Sequence, residues 1–132
     1  MALLPMSLSK IVISENQEHQ YIVLRDTSGE RQFPIVIGIF EAAAIDRRVK
    51  DVRPPRPLTH DLLANVIRAL GGTLERVVIN ALKDNTFFAT LMIAANGKTV
   101  EVDARPSDAI ALAVQGEVPV PILVDERVLD EA

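Results

Sequence analysis

The sequence contains no cysteine. This absence excludes disulfides, zinc–thiolate centres, iron–sulfur clusters and thiol nucleophiles together. Aromatic residues make up only 4% of the chain. The core must therefore be built from Val, Ile, Leu and Ala, and we expect no base-stacking platform of the kind that binds single-stranded nucleic acid.

Long apolar segments are also absent. No run approaches the roughly 18 residues needed to cross a bilayer, and Met1–Ser9 lacks the basic start and apolar centre of a signal peptide. We therefore expect a cytoplasmic protein with no membrane segment. The phosphate-binding P-loop, GxGxxG, HExxH and Gly-x-Ser-x-Gly patterns are missing as well, which removes the commonest nucleotide, zinc-protease and hydrolase signatures.

The net charge is −4, so a nucleic-acid binder of this sequence has to concentrate its cations locally. One cluster does so within ten residues, opposed only by Asp51: Arg47, Arg48, Lys50, Arg53 and Arg56. Alternatively, the cluster is a solvated helix end and loop, because Lys and Arg favour helix C-termini.

The length of 132 residues predicts a single domain over 1–132, with a core at about 8–124. Alternation of apolar and polar residues predicts two three-stranded antiparallel meanders. Pro34 indicates an edge strand, and Asn96-Gly97 indicates a tight hairpin. The predicted strands are Leu8–Ser14, Tyr21–Arg25 and Arg31–Ile37, then Leu74–Leu82, Phe87–Ala95 and Lys98–Asp103.

Helices are predicted after each meander, which makes the fold class α+β: two antiparallel meanders, each followed by helices, in one compact domain. Gly38–Lys50 is apolar nearly all round and is expected to be largely buried. Thr59 is the predicted N-cap of His60–Leu70, and Pro106 is expected to begin a third helix. A short strand at Val118–Val124 and a terminal helix at Asp125–Ala132 complete the prediction.

Chemistry-bearing side chains concentrate at two junctions where a loop enters a helix. At the first, Asp103 and Asp108 offer hard oxygen ligands to Mg²⁺ or Mn²⁺, and Arg105 and Ser107 offer donors to a phosphate. The alternative is structural. Asp108 then compensates the helix dipole, Ser107 caps the helix, and Asp103 pairs with Arg105.

The second junction is Arg56-Pro57-Leu58-Thr59-His60-Asp61. His60 suits a general base or a metal ligand, and Asp61 suits an orienting or ligating group. Glu41 is a third candidate, because a carboxylate in an apolar helix needs a partner. That partner is a metal, a set of hydrogen-bond donors, or an arginine such as Arg56 or Arg105.

These segments together resemble the bifunctional nuclease domain, a DNase/RNase family formerly described as a domain of unknown function. The similarity covers roughly residues 8–124 in the expected order. Its most specific segments are Pro57-Leu58-Thr59-His60-Asp61 and Asp103-Ala104-Arg105-Pro106-Ser107-Asp108-Ala109-Ile110-Ala111-Leu112-Ala113. The family's characteristic positions correspond here to Glu41, Arg56, His60, Asp61, Asp103, Arg105, Ser107 and Asp108.

The resemblance implies hydrolysis of DNA and RNA, assisted by a divalent cation. We hypothesise that Asp103, Asp108 and Glu41 bind the cation, Arg56 and Arg105 hold the phosphate, and His60 moves the proton. Two alternatives stay open: a non-catalytic module that binds an anion or other ligand, and a purely structural role. We also expect a homo-oligomer, a symmetric dimer by default, because Pro-bearing edge strands must be covered.

Overall fold

A computed structural model of the chain describes residues 2–14, 19–116 and 118–132. It contains seven strands: β1 Leu3–Val12, β2 Gln20–Asp26, β3 Gln32–Ile37, β4 Gly72–Lys83, β5 Thr86–Ala95, β6 Lys98–Ala104 and β7 Ile122–Asp125. Four helices accompany them: α1 Ile39–Val49, α2 Thr59–Ala69, α3 Pro106–Ala113 and α4 Glu126–Glu131. The predicted turn at Glu15–His19 lies, apart from His19, outside the described residues.

Both predicted meanders are present, and they belong to one sheet with the strand order β3-β2-β1-β7-β4-β5-β6. β7 joins them, pairing antiparallel with β1 and parallel with β4. β3 is an edge strand, as Pro34 indicates, because only β2 pairs with it among the described strands. Asn96 and Gly97 adopt positive φ of 54° and 75°, which confirms the tight hairpin between β5 and β6.

The sheet curls, so strands far apart in its order approach each other. The rings of Phe33 on β3 and Phe87 on β5 lie 5.6 Å apart between centroids, although four strands separate β3 from β5. α3 packs on β4 and β5 in the concave side and is buried nearly all round. α1 and α2 both pack against α3. The first turn of α3 is therefore enclosed by the other two helices.

Several boundaries differ from the prediction. β1 begins at Leu3 rather than Leu8, because Leu3–Met6 pair with β7. The last strand begins at Ile122 rather than Val118, since Pro119 and Pro121 precede the paired segment. The N-cap of α2 is Leu58 rather than Thr59, because the Asp61 carboxylate accepts the Leu58 backbone N–H at 2.9 Å.

Two expectations about helix faces are also wrong. α1 buries only one side, and Phe40 is 82% exposed. In α2 the spacing of the apolar residues predicts a stripe of Leu62, Leu63, Val66, Ile67 and Leu70. This stripe points largely outward, because all of these residues except Ile67 are exposed. α2 instead turns inward the face that carries His60, Ala64 and Ile67, which helical spacing places on one side. Among the described residues, no helix is long and apolar enough to cross a membrane.

Asp125 lies between β7 and α4, and it makes part of the free energy of unfolding depend on pH. It is 1% exposed and accepts hydrogen bonds from the side chain and the backbone N–H of Arg127. These bonds hold the pKa of Asp125 below its usual range. The resulting stability is fully present above the unfolded-state pKa of about 3.9 and is lost as pH falls through the lower folded-state pKa.

Asp125→Asn is therefore expected to lower the urea midpoint at pH 7, and its deficit relative to wild type should shrink below about pH 4. Urea denaturation across this pH range tests the expectation. Glu101→Gln, at an exposed position of β6, is the matched control and should leave the midpoint unchanged. A deficit for Asp125→Asn that is equally large at pH 7 and in acid would contradict the account.

Candidate functional site

The first turns of α1, α2 and α3 meet, and each carries a carboxylate at its third position. Glu41, Asp61 and Asp108 occupy these positions. Unpaired backbone N–H groups and the helix dipole favour negative charge there. Local helix chemistry therefore brings carboxylates to one region without any catalytic requirement.

Arg105 joins two of these carboxylates. Its Nε and Nη2 both donate to Asp108 Oδ2 at 2.8 Å, and Nη2 lies 3.2 Å from Glu41 Oε1. The hydrogen bond to Asp108 is the main cause that raises the pKa of Arg105. Glu41 needs this partner because its side chain is only 9% exposed. Of the two arginines considered for Glu41, the structure selects Arg105.

His60 completes the cluster through the other oxygen of Asp108. Its Nε2 lies 2.9 Å from Asp108 Oδ1, and its side chain is 13% exposed. Because an ionised carboxylate only accepts, Nε2 carries the proton, and in the neutral ring Nδ1 is left with its lone pair. Nothing in the described part of the chain bonds to Nδ1. The result is an oriented imidazole with a free basic nitrogen, which is the arrangement a general base requires.

The Glu41–Arg105–Asp108–His60 cluster forms part of the wall of an open cleft on its Glu41 side. The cleft has a volume of about 330 Å³ and lies between β3, the β4–β5 turn and the start of α3. Ser107 is 6% exposed and lines it beside Arg105. A small polar group that enters this cleft reaches Arg105 and Ser107 together.

Besides Ser107, three predicted site residues lie outside the cluster. Arg56 is exposed on the Pro-rich loop and forms no ion pair with any described residue. Asp61 lies next to His60, but its carboxylate bonds to the helix start at Leu58. Asp103 is exposed on the edge strand β6, where it pairs with Thr90 in the ladder.

The donor set fits a preformed cation site poorly. Both oxygens of Asp108 already accept bonds from His60 and Arg105, and a divalent cation at Glu41 would have to compete with the Arg105 guanidinium. Within 2–14, 19–116 and 118–132, no three or more His, Asp and Glu residues group as metal ligands. The metal expected at Asp103 and Asp108 therefore stays a prediction.

Gly38 is a site residue that the sequence analysis missed. It is the N-cap of α1, and a Cβ at this position would lie 2.8 Å from Glu41 Oε1. Glycine therefore leaves the space that the Glu41 carboxylate fills as it turns toward Arg105. The available signal was the spacing Gly38-x-x-Glu41, which joins an N-cap to its third helical residue.

Gly38→Ala is expected to displace the Glu41 carboxylate, weaken its bond to Arg105 and cost about 1–3 kcal/mol of stability, as overpacking does. Urea denaturation measures the cost. In a Glu41→Ala background the same change should cost much less, because the clashing carboxylate is gone. Gly116→Ala is the control, since its Cβ would have an ordinary nearest contact of 3.4 Å. An equal cost in both backgrounds would show that the effect does not pass through Glu41.

Comparison with known proteins identifies the family and several relatives of this chain. The family model of the bifunctional nuclease domain matches residues 22–132. An uncharacterized protein of Mycobacterium tuberculosis is 45% identical over 122 residues, which cover 92% of this chain and 71% of that protein. Bifunctional nuclease 1 and bifunctional nuclease 2 of rice (Oryza sativa subsp. japonica) are 24% and 28% identical over 83% of this chain.

The matched segments cover only 34% and 35% of the two rice proteins, so this chain corresponds to about a third of their length. The matched part of the chain includes every residue of the Glu41–Arg105–Asp108–His60 cluster. The chain belongs to the bifunctional nuclease domain family.

Proposed function

We propose that this protein hydrolyses phosphodiester bonds of DNA and RNA, with His60 as the general base. The observation that carries the proposal is the orientation of His60: Asp108 fixes its Nε2, and Arg105 and Glu41 fix Asp108 in turn. The family membership supports the reaction class, because the rice relatives are named as nucleases.

In the proposed reaction, His60 Nδ1 takes a proton from water as the water oxygen attacks phosphorus. The new P–O bond forms as the bond to the leaving sugar oxygen breaks, and the imidazolium returns its proton to that oxygen. Asp108 stabilises the imidazolium while it exists, because it holds a negative charge 2.9 Å from Nε2. One base of this kind contributes about 10²–10⁴-fold to the rate.

Arg105 has a positioning role in this scheme. Two of its nitrogens face carboxylates, so its charge is largely compensated before a phosphate arrives. Arg105 thus holds Asp108 in the geometry that orients His60. Its contact with phosphate, expected from the sequence, would use Nη1, the nitrogen that faces neither Asp108 nor Glu41 in the bonds described above.

His60→Ala is expected to lower kcat on defined DNA and RNA substrates by about 10²–10⁴-fold. Asp108→Asn should also lower kcat, because the fixed ring orientation is lost. Thr59→Ala, at the exposed neighbouring position, is the matched control and should cut as wild type does. Circular dichroism checks that each variant is folded. If His60→Ala cuts normally, His60 is not the base.

The cation prediction has a separate test. If Asp103 and Asp108 hold Mg²⁺ or Mn²⁺, calorimetric titration should detect binding to wild type, and Asp103→Asn should lose both binding and cleavage. If His60 acts without a cation at this position, Asp103→Asn should cut as wild type does and EDTA should have no effect. Loss of cleavage with Asp103→Asn in a folded protein would favour the cation site and overturn the scheme without it.

A non-catalytic anion-binding module is the second candidate. The open cleft beside Arg105 and Ser107 favours it, since it offers a cation and a hydroxyl at one helix start. Inorganic phosphate that binds without any cleavage of DNA or RNA would select this candidate. The expected dimer stays a prediction, and the exposed apolar residues of α2 are the surface to examine first.

A further inference from the structure

A second region beside His60 is lined by arginines. An open groove of about 350 Å³ lies between the loop after α1 and the side of α2 that carries Asp61, Asn65 and Arg68. We name it the arginine groove, and its described lining residues are Arg48, Arg53, Pro54, Pro55, Pro57, Asp61, Ala64, Asn65, Arg68 and Gln115. A cavity of about 10 Å³, room for about one water molecule, lies between the groove and His60. The cavity and the groove share Arg48, Pro54, Asp61 and Gln115.

The charges of the two regions are opposite. With His60 neutral, the Glu41–Arg105–Asp108–His60 cluster contains two carboxylates and one guanidinium, so it does not attract a phosphodiester. The arginine groove contains three guanidinium groups and one carboxylate, that of Asp61. In a chain with a net charge of −4, this groove is a local concentration of positive charge.

The positive charges of two groove arginines, Arg53 and Arg68, are only weakly compensated by neighbouring groups. The side chain of Arg53 is 60% exposed and lies 3.5 Å from an exposed Asp51, and exposed pairs of this kind contribute little. Arg68 donates to the neutral amide oxygen of Asn65, which leaves its charge uncompensated. Arg48 is different, because its guanidinium is tied to the carbonyls of Val114 and Gln115 and anchors the wall.

We propose that the arginine groove binds the phosphodiester backbone of a nucleic acid beside the first turn of α2, which carries His60. The choice of ligand rests on the proposed function. Guanidinium groups form bidentate hydrogen bonds with phosphate oxygens. Prolines 54, 55 and 57 restrict the backbone of the loop, so the loop is rigid before a nucleic acid binds. No aromatic side chain is among the described lining residues, so binding follows the backbone and is independent of base sequence.

The test compares two variants with the same change in net charge. Arg53→Gln/Arg68→Gln removes two cations from the groove, and Arg25→Gln/Arg76→Gln removes two exposed cations that do not line it. Each is measured for binding of a fluorescent oligonucleotide by anisotropy over a range of salt concentrations. Each is also measured for turnover of bis(p-nitrophenyl) phosphate, which is too small to follow the groove.

The groove variant is expected to raise Kd for the oligonucleotide at least about tenfold and to reduce the salt slope by roughly 1.4–1.8, as loss of two phosphate contacts does. Its loss of turnover on the small phosphodiester should be much smaller than its loss of oligonucleotide binding, because that substrate does not extend along the groove. The control variant should bind as wild type does. If both variants weaken binding equally, the effect is one of net charge and the groove assignment is overturned.

Two further outcomes separate the hypotheses. If polyglutamate competes with the oligonucleotide at equal charge concentration, the groove fits an acidic protein and the nucleic-acid assignment is overturned. If wild type binds the oligonucleotide through Arg53 and Arg68 but cuts neither substrate, the groove assignment holds and the proposed nuclease function fails. Binding and cleavage therefore report on the two proposals independently.

Discussion

The candidate site depends on how one buried carboxylate is neutralised. Glu41 lies in a largely apolar helix with 9% of its side chain exposed, and Arg105 is the cation that compensates it. Removing one partner of a buried ion pair costs about 3–5 kcal/mol, and the exposure of Arg105 reduces that figure here. The requirement ties α1 to the start of α3 and thereby fixes Asp108. Asp108 in turn fixes the side chain of His60, which belongs to α2.

Structural and catalytic explanations of these residues are therefore not alternatives. An acidic residue at the third position of a helix stabilises the helix start in any protein. Here Asp61 does only that, since its carboxylate bonds to Leu58 N–H. Asp108 occupies the equivalent position in α3, yet its oxygens face His60 and Arg105. The difference arises because α1 and α2 both pack against α3. This packing brings side chains of the neighbouring helices to the first turn of α3.

The sequence predicted what depends on neighbouring residues and missed what depends on distant ones. The strands of the second meander and the Asn96-Gly97 hairpin follow from local alternation and turn chemistry, and the structure confirms them. The start of β1 at Leu3 depends on pairing with β7, more than a hundred residues later. No local pattern contains that information.

The candidate site also has some features that neighbouring residues predict and others that depend on distant residues. Pairing of Glu41 with an arginine was predictable, because a carboxylate among apolar neighbours needs one. The choice of Arg105 over Arg56, and the bond from His60 to Asp108, required the packing of three helices. The inward face of α2 was missed because the outward leucines form the more regular apolar pattern. Ala64 and Ile67, the partly buried residues beside His60, are too few to signal a buried face.

The two proposals together separate the groups that bind the substrate from those that react with it. In the proposed reaction Asp108 stabilises an imidazolium, so the Glu41–Arg105–Asp108–His60 cluster keeps its carboxylates. Those carboxylates repel phosphate, and the proposed source of attraction is the arginine groove. The arginine groove adjoins the cluster through His60 and Asp61 and has the opposite charge. On this argument His60 lies between the two regions, since it bonds to Asp108 and lines the small cavity next to the groove.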